Sequence, residues 1–191
     1  MPRNSISVES NVADEFSLQA ELAGKTLYTF ANEWLQAAAN ISAEGGTANE
    51  VVGNWRIFSV LRQVDVITLP ADFVELLIAN LYVLEKDNLF KTFNKLGSDL
   101  VSLMKMAAPD IGQLTVLAKE FAQIIPTKRI DITKSDSNAI QVDIVGAGRR
   151  IETTECSFEF VKAILSGYGY RITSQDVGIG VIRIRATKVG T

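Results

Sequence analysis

The chain has 191 residues, a mass of 20.9 kDa and a formal net charge of −3. Its content of 47% hydrophobic and 21% charged residues is typical of a globular protein and excludes the disordered and fibrous classes. The absence of histidine and the single cysteine, Cys156, exclude Ser-His-Asp and Cys-His catalysis, thiolate or imidazole zinc sites, and an internal disulfide framework. The sequence therefore favours a non-catalytic protein, and we predict no metal site and no cofactor.

Two features of the chain indicate its location. The longest apolar stretch, residues 73–84, is interrupted by Glu75 and Asn80 and is too short to span a bilayer, so no membrane association is predicted. The N-terminal residues lack the apolar core and the cleavage site of a signal peptide. Together with the single cysteine, these features predict a cytoplasmic protein.

Residues 1–126 are predicted to form a bundle of about five helices. Apolar residues three or four apart form a stripe along residues 8–40, which indicates one long helix or two helices that meet near Gly24. Trp34 and Trp55 lie on such stripes and are interpreted as core residues. Further helices are predicted at residues 48–64, 68–87, 89–107 and 110–125, and Pro126 is expected to end the helical part.

Residues 127–191 are predicted to form a ββαββ module that packs on or beside the bundle, so the fold class is α+β. Apolar and polar residues alternate in three segments of this module, which indicates strands with one covered and one solvated face. The apolar positions are Ile130 and Ile132, then Ile140, Val142 and Ile144, and finally Ile182, Ile184 and Ala186.

A helix is predicted between the second and third strands of the module. Phe158, Val161 and Leu165 recur at helical spacing and would cover the apolar face of the sheet. The candidate N-caps are Thr153 and Thr154, and Gly167 and Gly169 are the expected stop.

Charge is divided between the two predicted parts. Residues 1–126 hold 9 Lys and Arg against 15 Asp and Glu, whereas residues 127–191 hold 10 against 7. The functional interpretation is that arginines on the open face of the sheet contact phosphates or an acidic partner. The alternative is that they are solubility residues, partly neutralised by Asp131 and Asp143. The arginines are Arg129, Arg171, Arg183 and Arg185.

The loop Gly-Ala-Gly-Arg-Arg at residues 146–150 joins the second strand to the helix. Its glycines would let the backbone approach an anion, and Arg149 and Arg150 would add charge-assisted contacts. The loop matches neither the dinucleotide fingerprint nor the phosphate loop. The helix is expected to begin several residues later, so a plain connection is the alternative.

Part of the module resembles Alba, the archaeal chromatin and RNA-binding family. The resemblance rests on the strand from Ile140, on Gly-Ala-Gly-Arg-Arg-Ile at residues 146–151, on the following helix, on Gly169-Tyr170 and on Ile-Arg-Ile-Arg-Ala at residues 182–186. In that family a Gly- and Arg-rich loop precedes the second helix, and two strands form a hairpin arm. The strand at residues 130–133 departs from this pattern, and the first-half unit of the family has no counterpart here. The resemblance implies nucleic-acid binding.

Cys156 is expected in or just before the first turn of the module's helix. A helix N-terminus favours the thiolate, which would suit a sulfur carrier or a redox sensor. Glu152 and Glu155 disfavour a nearby anion, and a buried structural cysteine is the alternative.

Three functions are compatible with these sequence features. The first is a non-catalytic assembly subunit of a cytoplasmic complex or a homo-oligomer, in which the acidic helices and the basic module make separate protein contacts. The second is a nucleic-acid-associated protein that uses the arginine-bearing face and the loop at residues 146–150. The third is a thiol-based carrier or redox protein that acts through Cys156.

Overall fold

The computed structural model describes residues 5–63, 66–122, 125, 127–136 and 138–190. The chain divides into two compact units, an N-terminal unit (Met1–Val52) and a C-terminal unit (Gly53–Thr191). The predicted boundary at residue 126 falls inside the C-terminal unit. The predicted helix end at Val64 and the predicted stop at Pro126 lie outside the described residues.

The N-terminal unit contains two helices and the start of a third. The first two are α1 (Ser10–Leu22) and α2 (Leu27–Ala43), and α3 (Ala48–Leu61) begins in this unit and continues in the next. Gly24, at a φ of 65°, lies in the turn between α1 and α2, so the stripe over residues 8–40 is carried by two helices. The Thr26 hydroxyl accepts a hydrogen bond from the Thr29 amide at 3.2 Å and caps α2.

The longest helix is α4 (Ala71–Ala107), which follows α3 in the C-terminal unit. Two helices were expected here, at residues 68–87 and 89–107. The structure has one element with a kink at Glu85, where φ is −145° and ψ is 50°. The expected break is therefore present as a kink, and no loop separates the two halves. After a short turn, α5 (Ile111–Phe121) follows.

The C-terminal residues form the predicted ββαββ arrangement. Its elements are β1 (Arg129–Asp136), β2 (Ala139–Val145), α6 (Ile151–Gly167), β3 (Tyr170–Gly178) and β4 (Val181–Lys188). The strands form one sheet in the order β1-β2-β4-β3, and each neighbouring pair is antiparallel. The protein is therefore a mixed α+β protein, as predicted, and its four strands form one antiparallel sheet.

The core of the C-terminal unit lies between the sheet and helices α4, α5 and α6. The alternating apolar residues of β2 and β4 are buried as predicted, and Leu165 of α6 packs on them. Two glycines let α4 and α6 approach closely: a Cβ on Gly97 would lie 2.5 Å from the carbonyl oxygen of Phe160, and a Cβ on Gly167 would lie 2.4 Å from a methyl of Val101. Residues of α4 and α5 therefore share one core with the sheet and α6.

Two sequence predictions need correction. The N-cap of α6 is Arg150, so Thr153 and Thr154 lie inside the first turn, where the Thr154 hydroxyl donates to the Arg150 carbonyl at 2.8 Å. Trp34 and Trp55 are 56% and 65% exposed and are not core residues, because an apolar stripe does not by itself bring a covering element.

Over the residues described above, no helix combines the length and the apolar character needed to cross a membrane.

Candidate functional site

The open face of the sheet carries the predicted arginines together with aspartates. Asp131, Asp143, Arg183 and Asp176 lie side by side on the four strands, because the registers of the three pairings place them in one row. Arg183 lies 3.9 Å from Asp143 and 3.4 Å from Asp176, and the Nε of Arg129 lies 2.9 Å from an oxygen of Asp131. Two of the four arginines on this face are therefore already paired with carboxylates.

The other two arginines of the open sheet face, Arg171 and Arg185, lie beside these pairs. Arg171 is opposite Thr187 and Arg185 is opposite Gln141, and neither makes an ion pair with a described residue. Four arginines thus alternate with three aspartates, which weakens the local positive potential. This geometry favours the interpretation of the arginines as solvated, charge-paired residues, and nucleic-acid binding through them stays a prediction.

The loop at residues 146–150 leads directly into α6, which begins at Ile151. The prediction that the helix begins several residues later was wrong. The backbone N–H of Arg149 donates to Oε1 of Glu75 at 2.6 Å, and the Arg149 guanidinium is hydrogen-bonded to Asp72. Glu75 is buried, with 9% of its surface exposed, so a carboxylate of α4 occupies the position where an external anion was expected. The sequence signal for Glu75 was a lone acid within an apolar stretch.

The glycines of this loop serve contacts within the chain. The N–H groups of Gly146 and Ala147 both donate to the carbonyl of Gly180, at 2.7 and 3.1 Å. The N–H of Gly180 donates to the Thr154 hydroxyl at 2.9 Å. Gly146 has a φ of 87°, and a Cβ there would lie 2.8 Å from the Lys128 nitrogen. The loop is thus fastened to the β3–β4 turn, which favours its interpretation as a structural connection.

A polar cluster joins α4 to α6 next to the kink. The Tyr82 hydroxyl donates to the Glu155 carboxylate, and the Lys86 ammonium lies 2.9 Å from the same oxygen. Partial burial acts to raise the pKa of Glu155, but the bonds from Tyr82 and Lys86 outweigh it, so its pKa lies below the ordinary value. The Lys86 ammonium also lies 4.5 Å from the centre of the Tyr82 ring.

Cys156 is fully buried beside this cluster. Its side chain packs against Ile78 and Leu89, which lie on opposite sides of the kink in α4. Burial, and after it the charge of Glu155, raises the pKa of the thiol to about 11. A thiol with these properties is protonated and shielded at neutral pH, which favours the structural interpretation of Cys156 over a carrier or sensor.

An apolar cavity that opens to the surface lies in the C-terminal unit, where helices α4, α5 and α6 meet the sheet. Its volume is about 410 Å³. Residues of α4, α5 and α6 and of strands β1 and β2 line its walls. Among the lining residues that the structure describes, Asp99 is the one charged residue. Residues from these walls include Leu100 and Met104 of α4, Leu114 and Phe121 of α5, Ile130 and Ile132 of β1, and Val161 and Ile164 of α6.

The sequence pattern does not reveal this cavity. Its lining residues have the same apolar spacing as core residues, and the pattern that predicts a buried face is the same whether protein or empty space lies against it. The cavity is therefore visible only once the helices are placed on the sheet.

The fold and these sites define a mixed α+β protein whose recognisable features are an apolar cavity, a charge-paired sheet face and a buried thiol. No protein-family profile matches the chain, and no curated protein matches it, so the resemblance to Alba stays a prediction.

Several solved H-NOX structures are similar to this chain. One, from work on heme distortion in the H-NOX family, is 14% identical with a TM-score of 0.43 over 82% of this chain and 92% of that one. A mutant of T. tengcongensis H-NOX is 13% identical with a TM-score of 0.41, over 83% and 93% of the two chains. Likenesses this weak support no inference about a ligand or a function.

Proposed function

We propose that this protein is a non-catalytic assembly subunit that associates with copies of itself through α1 and α2. The observation that supports the proposal is the exposure of apolar side chains in the N-terminal unit. Among the residues of this unit that the structure describes, only Ala20 of α1 is buried, while Leu18, Leu22, Trp34 and Leu35 are each about half or more exposed.

Two short helices with so little buried surface do not offset the entropy lost when they fold. The rings of Phe16 on α1 and Phe30 on α2 lie 5.6 Å apart and join the two helices, and Trp34 contacts Phe30 within α2 at 6.0 Å. These contacts leave the exposed apolar side chains of both helices uncovered. A cover for these side chains would add the buried apolar surface that the two helices lack. A second copy of the chain supplies such a cover without any further component.

The charges of the N-terminal unit make self-association dependent on salt. Its described residues include seven acids and one base, Lys25. The acids are Glu9, Asp14, Glu15, Glu21, Glu33, Glu44 and Glu50. Two copies that meet through the apolar stripe bring these acidic side chains close to one another. Added salt therefore strengthens the association by screening the repulsion between the acidic side chains. A different partner, with basic residues around its interface, would bind less tightly as salt is added.

Size-exclusion chromatography with light scattering tests the proposal, at protein concentrations from about 10 to 200 µM and at low and high salt. We expect an oligomer of defined mass that becomes more populated in high salt. Trp34→Glu is expected to weaken the association at least about tenfold, because it places a charge at the centre of the stripe. Gln36→Glu is the matched control, since it adds the same charge to a polar position of α2.

A wild-type protein that stays monomeric at the highest concentration contradicts self-association. A Trp34→Glu variant that associates as well as Gln36→Glu contradicts the assignment to α1 and α2. The ratio of absorbance at 260 and 280 nm in the same runs tests the nucleic-acid hypothesis, because bound nucleic acid would raise the ratio at low salt and leave in high salt. The single cysteine is the feature that favours a cytoplasmic setting for this assembly.

A further inference from the structure

The apolar cavity of the C-terminal unit opens to the surface and is much larger than the gaps between packed side chains in a protein interior. Protein interiors are packed as densely as organic crystals, and voids larger than a water molecule are few. The cavity has a volume of about 410 Å³, within the range of small-molecule sites. Its apolar walls offer water few hydrogen-bond partners, so filling it with an apolar molecule restores contacts that the empty protein lacks.

The packing of the helices explains why the space exists. Gly97 and Gly167 bring α4 and α6 into close contact, whereas α5 packs against β1 and touches α4 little. A wedge of space therefore remains between α5 and the α4–α6 pair. The small side chain of Ala118 on α5 forms part of its wall and leaves the wedge unfilled.

The mouth of the cavity is marked by lining residues that are also exposed. Leu96 and Val66 line the cavity and are each about half exposed, and Asp99 lies almost one helical turn after Leu96 on α4. The Asp99 carboxylate is paired with Lys95 at 2.5 Å and its side chain is 58% exposed. A ligand in the cavity thus has apolar surroundings along its body and a carboxylate at its outer end.

We propose that this cavity binds an apolar small molecule with one hydrogen-bond-donating group, an alcohol or an amine, whose donor lies at Asp99. A carboxylate accepts hydrogen bonds and attracts a cation, whereas it repels a second carboxylate. Asp99 lines the cavity whereas its partner Lys95 does not, so we expect the site to favour an alcohol or an amine over a fatty acid of the same chain length. This binding activity is independent of the assembly proposed above, since it uses only the C-terminal unit.

Fluorescence titration with the neutral probe N-phenyl-1-naphthylamine tests the proposal on the full-length protein. We expect saturable binding of one probe per chain. Dodecanol and dodecylamine, used below their micellar concentrations, are expected to displace it at concentrations at least about tenfold lower than dodecanoate. Absence of saturable binding overturns the proposal, and equal displacement by all three compounds overturns the role of Asp99.

Substitutions on α5 separate cavity binding from binding to exposed apolar surface. Ala118→Phe places a ring in the cavity and is expected to weaken probe binding at least about tenfold without lowering the melting temperature. Val116→Phe adds the same ring to an exposed position of the same helix and is expected to leave the affinity unchanged. Val161→Phe fills the cavity from α6 and serves if Ala118→Phe does not fold.

Asp99→Asn tests the outer end of the site. This variant is expected to keep the affinity for the neutral probe and to lose the preference for the amine over the carboxylate, because the Lys95 ammonium is then unopposed.

Folded Ala118→Phe or Val161→Phe protein that binds the probe as tightly as Val116→Phe shows that the probe binds elsewhere and overturns the proposal.

Discussion

The N-terminal and C-terminal units contain helices with similar sequence patterns and very different environments. In α6, six residues are buried, including Phe158, Ile164 and Leu165, whereas in α1 only Ala20 is buried and in α2 none. The apolar residues of α2 are concentrated on one side of the helix at least as strongly as those of α6. The difference shows that apolar residues at helical spacing predict a helix with one apolar side. The same spacing does not predict which element, if any, packs against that side.

The largest expected effect comes from removing the same side chain in the two units. Leu165→Ala is expected to lower the free energy of unfolding by about 2–5 kcal/mol, because Leu165 is 1% exposed and its loss leaves a cavity in the core. Leu22→Ala is expected to change it by less than about 0.5 kcal/mol when the protein is dilute enough to be monomeric, because Leu22 is 73% exposed in the single chain. Urea unfolding followed by circular dichroism measures both, and equal losses would remove the contrast between the units.

The close contact of α4 and α6 provides the second test. Gly97→Ala is expected to cost about 1–3 kcal/mol, because its Cβ would meet the backbone carbonyl of Phe160 and the Cβ of Ala163. Gly178→Ala is the control, since no atom lies within 4 Å of a Cβ built there. The melting temperature of each variant measures the effect. An unchanged melting temperature for Gly97→Ala would show that the two helices are further apart than the structure has them.

The helix caps of the two units give a smaller difference. Asp110 caps α5 by accepting hydrogen bonds from Gly112 N at 2.7 Å and Gln113 N at 3.0 Å, so Asp110→Ala is expected to cost about 1 kcal/mol. Glu9, the N-cap of α1, makes no side-chain cap hydrogen bond. Glu9→Ala is therefore expected to leave the free energy of unfolding unchanged. Chemical denaturation measures both variants, and a loss of the same size in each would argue against capping as the cause.

The smallest expected effect depends on pH. Because the pKa of Glu155 is lower in the folded protein than the ordinary 4.5, its contribution to stability is complete above about pH 4.5 and is lost as the pH falls through the folded-state pKa. Glu155→Gln is expected to reduce the loss of unfolding free energy at low pH by less than about 1 kcal/mol, since the Lys86–Glu155 pair is partly exposed.

The control for this measurement is Glu33→Gln in the N-terminal unit. Glu33 pairs with Lys25 at 2.5 Å, but both side chains are largely exposed, so little stability is expected from the pair. Chemical denaturation from about pH 3 to 6 compares the variants. Identical pH profiles for Glu155→Gln and the wild type would show that the Tyr82–Glu155–Lys86 cluster does not stabilise the fold.

Much of the fold was predictable, and much of the candidate site was not. Period-two alternation located β1, β2 and β4, and helical spacing located α6 and its end at Gly167, because these patterns are local consequences of backbone geometry. The partners of Arg149 were not predictable, since Asp72 and Glu75 are more than seventy residues away in the chain. The same holds for the pairing of Arg183 with carboxylates on two neighbouring strands.

The sequence by itself determined which segments form helices and strands, the alternation of apolar and charged residues along the strands, and the absence of histidine chemistry. Tertiary structure alone decided that the break in α4 is a kink, that Cys156 is buried against both halves of this helix, and that α5 stands apart from α4 and α6 to leave a cavity. The physical reason is the range of the interactions involved. Periodicity follows from neighbouring residues, whereas burial, charge pairing and empty space depend on which distant elements meet.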